Sequence, residues 1–182
     1  MSVRELLESR DRNEISIRAA TEADLVSVSE ILNAEIAASP YIYAEAPVSL
    51  DERRAWLAFH TAANLPVFVA TESDDDAKIV GWASLSLYRP SSGYRYTTEA
   101  SVYVAPFAQR RGIGRRLLSD LCAEAMRRDK HAIVASIDSE NFPSVALFER
   151  EGFREVGRLE GVGRKYDAWR TQLLYMRSLP SP

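Results

Sequence analysis

The stretch VAPFAQRRGIGRRLL, residues 104–118, sets Arg110, Arg111, Arg115 and Arg116 beside Gly112 and Gly114 in a chain whose formal net charge is −3. It follows a strand-like run and opens a helix-like one. Such a junction aims several unpaired backbone N–H groups at one point, where the helix dipole also favours negative charge. The chemistry implied is the binding of a small anion. Glycine lets a backbone approach a phosphate with no Cβ in the way. Four arginines at helical spacing cannot all face one ligand, so two are expected to. No Lys-Ser/Thr follows the second glycine, and G-x-G-x-x-G is incomplete, which demotes nucleotide hydrolases and Rossmann dehydrogenases. A second residue draws notice for its setting: Glu99 is a carboxylate between Thr98 and Ala100 in a strand read as interior. With one cysteine, Cys122, and two histidines, His60 and His131, neither an internal disulfide nor a metal centre is expected.

The elements that must position these groups follow from periodicity and caps. ISIRAA (15–20) alternates apolar and polar residues and meets Thr21, an N-cap for the helical pattern of residues 21–38. Ser49 and Glu52 stand at capping-box spacing ahead of a second helix that runs to about Ala63. An aromatic loop, SPYIYAEAP, lies between the two. PVFVATE (66–72), the acidic turn SDDDAK and IVGWASLSLY (79–88) read as a β-hairpin, with Asp74 to Asp76 as a solvated turn. YTTEASVYVAP is a further strand. After it Ile113, Leu117, Leu118, Leu121, Cys122 and Ala125 repeat along one helix face, which makes Cys122 an inert core thiol. AIVASID has the near-continuous apolar character of a parallel strand covered on both faces. Pro143 and Gly152 bracket another helix, and the chain closes with two strand-like stretches around a glycine-bearing loop. The order βααβββαβαββ indicates one mixed α/β domain.

QRRGIG after VYVAP, then ASIDSEN, then SVALFEREGF, together resemble the acetyl-coenzyme A signature of the GNAT acetyltransferase superfamily. YRYTTEASVYVAP, ENFPSVALFEREGFREVGRLEGVGRKYDAW and APVSLDERRAWL resemble its phosphinothricin and methionine sulfoximine N-acetyltransferase branch. The resemblance spans roughly residues 15–178 and leaves 1–14 as an N-terminal extension. It implies an α/β GNAT fold: a mixed, mostly antiparallel sheet of six to seven strands, splayed at strands 4 and 5 and flanked by about four helices. It implies acetyl-CoA as cosubstrate, with no metal. Val102 and Val104 would lend backbone groups to the cofactor arm, and Gln109, Arg110, Arg111, Gly112, Ile113, Gly114 and Arg115 would surround the pyrophosphate. Asn141, with Ser144 and Phe148 in the following helix, would complete the cofactor side. Asn141 also stands where a helix cap belongs.

The resemblance makes Glu99, in T-x-E-x-S-V-Y-V, the relay for a proton. An ammonium with a pKa of ~10.4 sits roughly 3.4 units above pH 7, a handicap of about 4.6 kcal/mol. The backbone N–H of Val104 or its neighbour would stabilise the oxyanion. The branch often carries Tyr or His where this chain has Phe148, and a phenyl ring cannot donate a proton, so Tyr103 or water must supply the departing thiolate. The acceptor pocket is expected from Tyr43 and Glu45 in the aromatic loop, from Arg95 and Tyr96 before the fourth strand, and from Lys165. Arg95 is the choice for a fork onto a carboxylate. Thr171 stands where the branch usually shows Asp, which leaves the acceptor open.

The reading is therefore direct acetyl transfer from acetyl-CoA to the primary amine of a small amino-acid-like molecule. Its rivals are a protein N-terminal or polyamine acetyltransferase and, because of Phe148, a catalytically weak acyl-CoA-binding module. A composition of 46% hydrophobic and 27% charged residues suits a soluble globular protein, and the acidic balance argues against nucleic acid as a partner. No apolar run reaches the ~20 residues of a membrane span, and MSVRELLESRDRNE has no signal-peptide features, so a cytoplasmic location is expected. A homodimer is expected from the branch resemblance and from aromatics near the last strands, Trp169 and Tyr175 among them.

Overall fold

Alternating apolar residues build β1 (Ile15–Ala19), which pairs antiparallel with β2 (Val67–Glu72) in a computed structural model that describes residues 15–72 and 75–180. The extension of residues 1–14 lies outside the described residues. Thr21 caps a single 3-10 turn, Glu22–Asp24, that leads into α1 (Leu25–Ala38). Asp24 holds this corner by accepting the Thr21 N–H at 2.7 Å and both ends of the Arg18 guanidinium at 2.8 Å. Then α2 (Leu50–Ala62) starts on the capping box of Ser49 and Glu52, as its sequence spacing demands.

The hairpin strand β3 (Asp75–Leu87) begins earlier than its apolar run suggests, because Asp75 already pairs with Glu72. Asp75 and Asp76 therefore belong to the strand and not to the turn, and Asp74 lies outside the described residues. The chain continues through β4 (Thr97–Val104), α3 (Ile113–Arg127), β5 (Ala132–Asp138), α4 (Phe142–Arg150), β6 (Arg154–Lys165) and β7 (Ala168–Ser178). The glycines of the last segment do not form its turn. Tyr166 and Asp167 do, at φ 50° and 61°, while Gly161 at φ 60° lies in a break of register between Leu159 and Gly163.

The seven strands form one sheet in the order β1-β2-β3-β4-β5-β7-β6, and β4 and β5 are its parallel neighbours. Helices α1 and α2 cover the face that carries Trp82 and Tyr103, and α3 with α4 covers the other. The six apolar positions of α3 read from the sequence are its six buried residues. They approach closely because β3 offers Gly81, where a Cβ would stand 2.9 Å from the Tyr103 carbonyl oxygen and 3.3 Å from Leu117. Cys122 is buried among them, and burial pushes its thiol up to about 11.

The functionally decisive feature is where β4 and β5 stop pairing. Their ladder holds only Thr97 with Ala132, Thr98 with Ile133 and Glu99 with Val134. Beyond Glu99 the two strands run on to Val104 and Asp138 without pairing to each other. A crevice therefore opens at the C-terminal ends of two parallel strands, the position where open α/β sheets receive ligands.

Candidate active site

The anion end is built by the entry into α3. Gly112 is its N-cap at φ 80° with no side-chain cap, and Arg110 two residues earlier is also left-handed, at φ 63°. The first intrahelical bond at this end is Arg116 N–H to Gly112 O at 3.1 Å, so earlier N–H groups of the turn remain for an anion. Arg111 is committed to Glu72 at 2.8 Å and Arg115 to Glu151 at 2.9 Å. Arg110 and Arg116 form no ion pair among the described residues. Two of four arginines are thus available, and Arg116 is one that the resemblance left out. The glycines divide the work. A Cβ on Gly112 would meet open space, so its need is conformational, whereas one on Gly114 would meet Leu147 at 3.3 Å and Val104 at 3.6 Å. Gly114 seats the helix on β4 and α4. Ile113 is buried and has only its backbone to offer a ligand.

Along the crevice, the Ala105 N–H donates to the Val80 oxygen of β3 at 2.9 Å. Backbone groups alternate along a strand, so Val104 and Val102 present theirs to the side that β5 has left. The Gln109 side chain donates weakly to the Val104 oxygen, at 3.4 Å. Glu99, at the last paired position, accepts the Ser136 hydroxyl of β5 at 2.7 Å. Ser136 is a candidate site residue the sequence reading passed over. Its signal was present, since it is the only hydroxyl in AIVASID and the one exposed position of β5. Tyr103 lies on the same face as Glu99 and stacks on Trp82 with ring centroids 4.5 Å apart. Burial raises its phenol above the ordinary range, Arg53 opposes that, and Glu35 and Glu99 add to it. Asn141 caps α4 by accepting the Ser144 N–H at 3.2 Å. Phe148 is buried in the core, edge-on to Phe153 with centroids 5.0 Å apart.

On the acceptor side, Tyr43 and Lys165 bind the chain to itself. The Tyr43 hydroxyl donates to Asp138 at 3.0 Å, at the end of β5. Asp138 is wholly buried and takes the Arg170 fork at 2.9 and 2.7 Å. Burial alone would raise the Asp138 pKa, but Arg170, the Glu140 N–H and Tyr43 together bring it below the usual carboxylate value. Burial and then the Asp138 carboxylate push the Tyr43 phenol well up. The buried Lys165 ammonium donates to the Ile36 oxygen at 2.9 Å and to the Ala44 oxygen, and the Tyr166 hydroxyl donates to Ala37 O at 2.7 Å. The aromatic loop is thereby tied to the ends of β5 and β6. Glu45 is exposed and makes no hydrogen bond or ion pair among the described residues. Arg95 donates to Ser92 O at 3.1 Å and to the Tyr96 hydroxyl at 3.0 Å. Both Arg95 and Tyr96 are exposed at the N-terminal end of β4, where it is joined to β5, and the crevice opens at the other end. Tyr175 is not a surface aromatic: it is buried and its hydroxyl donates to Glu149 at 3.0 Å.

A sequence profile described as the Acetyltransferase (GNAT) family matches residues 29–153. The chain belongs to this family. It is 37% identical over 155 residues to the L-methionine sulfoximine/L-methionine sulfone acetyltransferase of Salmonella typhimurium, covering 85% of this chain and 89% of that protein. To the phosphinothricin N-acetyltransferase of Streptomyces coelicolor it is 34% identical, covering 91% and 97% of the two chains. The structure of the Salmonella typhimurium acetyltransferase yncA with its cofactor acetyl-CoA superposes with a TM-score of 0.87 at 36% identity, covering 92% of this chain and 95% of that one. The protein is an acetyl-CoA-dependent N-acetyltransferase of the GNAT fold, and the parallel pair β4 and β5 in a seven-stranded mixed sheet is the architecture that the resemblance implied. No helix among the described residues is long and apolar enough to cross a membrane.

Proposed function

We propose that this GNAT enzyme acetylates the amine of a small amino-acid-like acceptor of the methionine sulfoximine, methionine sulfone or phosphinothricin type, and that Glu99 relays the ammonium proton. The observation that supports this most is the position of Glu99, at the last rung before β4 and β5 part and steadied by Ser136 at 2.7 Å. One carboxylate oxygen is engaged there, and the other is left for the ammonium or an intervening water.

The residues present fit the cosubstrate: uncapped N–H groups at α3, left-handed Arg110 and Gly112, and unpaired Arg110 and Arg116 suit a pyrophosphate. Open strand edges at Val102 and Val104 suit an amide-bearing arm. When bound, acetyl-CoA supplies a thioester whose leaving thiolate has a conjugate acid with a pKa of ~8.5. The amine nitrogen forms its bond to the acyl carbon as the carbon–sulfur bond breaks. The proton lost from the ammonium passes to Glu99, and the thiolate takes one from Tyr103 or from solvent. A phenol is protonated at neutral pH without any help, and burial, by raising the Tyr103 pKa further, makes it a weaker acid, which favours solvent as the source of the thiolate's proton. The Val104 N–H, turned to the crevice, donates to the carbonyl oxygen as charge develops there. Tyr43 and Lys165 act through the loop they hold.

The test is acetyl transfer to a panel of amino-acid sulfones, sulfoximines, phosphinothricin, polyamines and peptides. Strong transfer to the amino acids is expected. Preference for a polyamine or a peptide overturns the acceptor class, and coenzyme A binding without transfer to any amine overturns the activity.

The same reading includes a cytoplasmic homodimer. The lone cysteine is buried and unpaired, as suits a reducing compartment. The edge strand β6 exposes Val156 and Val162, and the start of β7 beside it exposes Trp169, the last at 71%. Apolar side chains on an unpaired edge favour a partner copy.

A further inference from the structure

Arg53, in the first turn of α2, is only 6% exposed, and its Nε is enclosed without a hydrogen-bond partner. Its side chain makes no hydrogen bond and no ion pair among the described residues. Arg170 shows the usual arrangement: at 8% exposure it is met by the carboxylates of Asp138 and Glu140. What meets Arg53 instead is aromatic. Its guanidinium carbon lies 4.6 Å from the Trp56 ring and 5.5 Å from the Trp82 ring. Ring faces compensate a buried cation only in part, and a guanidinium removed from water calls for an anion.

The place of this charge is informative. Trp82 stacks on Tyr103, and the β3–β4 register sets Trp82, Ser84 and Ser86 opposite Tyr103, Ser101 and Glu99. Side chains two apart along a strand share a face, so Arg53 stands over the face that carries Glu99. Glu35 of α1 acts on the same phenol, and burial holds its own carboxyl above the usual range. Tyr103 is thus flanked by a cation on one helix and by carboxylates on another helix and on its own strand. That pattern complements a zwitterion. It does not complement a polyamine, which brings only cations.

We propose that Arg53 receives the carboxylate of the acceptor amino acid and thereby makes the enzyme selective for α-amino acids over simple amines. The planar fork of a guanidinium matches the two oxygens of a carboxylate. Glu99, on the same face as Tyr103 and at the last β4–β5 rung, reaches the ammonium through water. Arg95, held by Ser92 and Tyr96 at the closed end of the β4–β5 pair, has no part in this contact.

This inference rests on the amino-acid reading above, and one pair of acceptors separates their fates. Methionine sulfone and its decarboxylated amine are compared in the wild type, Arg53→Lys and Arg53→Met. In the wild type the sulfone is expected to be preferred, and in Arg53→Met the ratio of the two kcat/KM values falls about 10- to 100-fold, through KM more than kcat. Arg53→Lys, which keeps charge without the fork, gives an intermediate ratio. Equal use of the two acceptors by the wild type overturns the inference without need of any variant. So does a variant that loses both activities in parallel, which marks a packing role. If the wild type acetylates neither and takes polyamines or peptides, the amino-acid reading itself fails and this inference falls with it.

Discussion

Glu99→Gln keeps the shape and one acceptor of the side chain and removes its basic site. Acetyl-CoA binding should survive while turnover falls. General-base catalysis contributes ~10²- to 10⁴-fold, and a loss near the lower end is expected because water can substitute at an open crevice. The defect should shrink as pH rises toward the amine's own pKa, since an acceptor already deprotonated needs no base. A pH profile of kcat that is lowered in parallel would show that Glu99 positions the substrate, and full activity at neutral pH would show another route for the proton. Ser136→Ala frees the carboxylate to turn, and we expect it to lower kcat by about tenfold or less. Glu99 was legible as a charge in an interior strand. Its partner was not, because a serine in an apolar run declares no partner until β5 lies beside β4.

At the scale of elements, the start of α3 separates two kinds of glycine. Gly112→Asp and Gly114→Asp should each abolish the rise in Tm that coenzyme A causes, by placing a like charge beside the pyrophosphate. Both should also lower the Tm of the free protein, Gly114→Asp because its side chain must displace Leu147 and Val104 at a cost of about 1–3 kcal/mol, and Gly112→Asp because a side chain is forced onto a left-handed backbone at φ 80° at a cost of roughly 1–2 kcal/mol. Thermal melts with and without coenzyme A decide this, and an undiminished shift in both variants refutes the site. The end of β5 gives a second case. Asp138→Asn leaves the buried Arg170 with only the exposed Glu140 carboxylate and should cost up to about 3 kcal/mol. The Asp138 pKa is held below its ordinary 3.8 in the folded protein, so its contribution is complete above that pH and disappears as pH falls through the folded value. Denaturant melts should therefore show a flatter stability profile below pH 3.8 in Asp138→Asn than in the wild type; identical slopes would contradict the ion pair.

For the whole molecule, coenzyme A at a hundred times its Kd should stabilise the fold by about 2.7 kcal/mol through mass action, which calorimetry can read directly. Light scattering at tens of micromolar should report a dimer, and Trp169→Asp should shift it toward monomer without loss of the coenzyme A effect. A wild-type monomer at that concentration would count against the edge-strand interface. Of the aromatics near the last strands, Trp169 fits the expected interface and Tyr175 does not, since it is committed to the core and to Glu149. Composition could not separate them: both lie on β7, and only the packing of α4 against it buries one.

The amino-acid sequence by itself determined the order of elements, the buried face of α3, the cap of α2, the glycine turn that opens α3 and the family. All of these are local patterns, written in residues up to four apart or in a contiguous motif, where helix period, caps and glycine conformation act directly. Tertiary structure alone decided which two of the four arginines stay free, because Glu72 and Glu151, 39 and 36 residues away, claim the others. It likewise decided that Tyr43 reaches Asp138 across 95 residues and that Lys165 reaches Ile36 across 129. It left the Arg53 side chain buried with its Nε unpartnered. A charged side chain advertises that it needs a partner, but the partner is chosen by which strands and helices the fold brings within about 3 Å of it, and sequence separation carries no record of that distance.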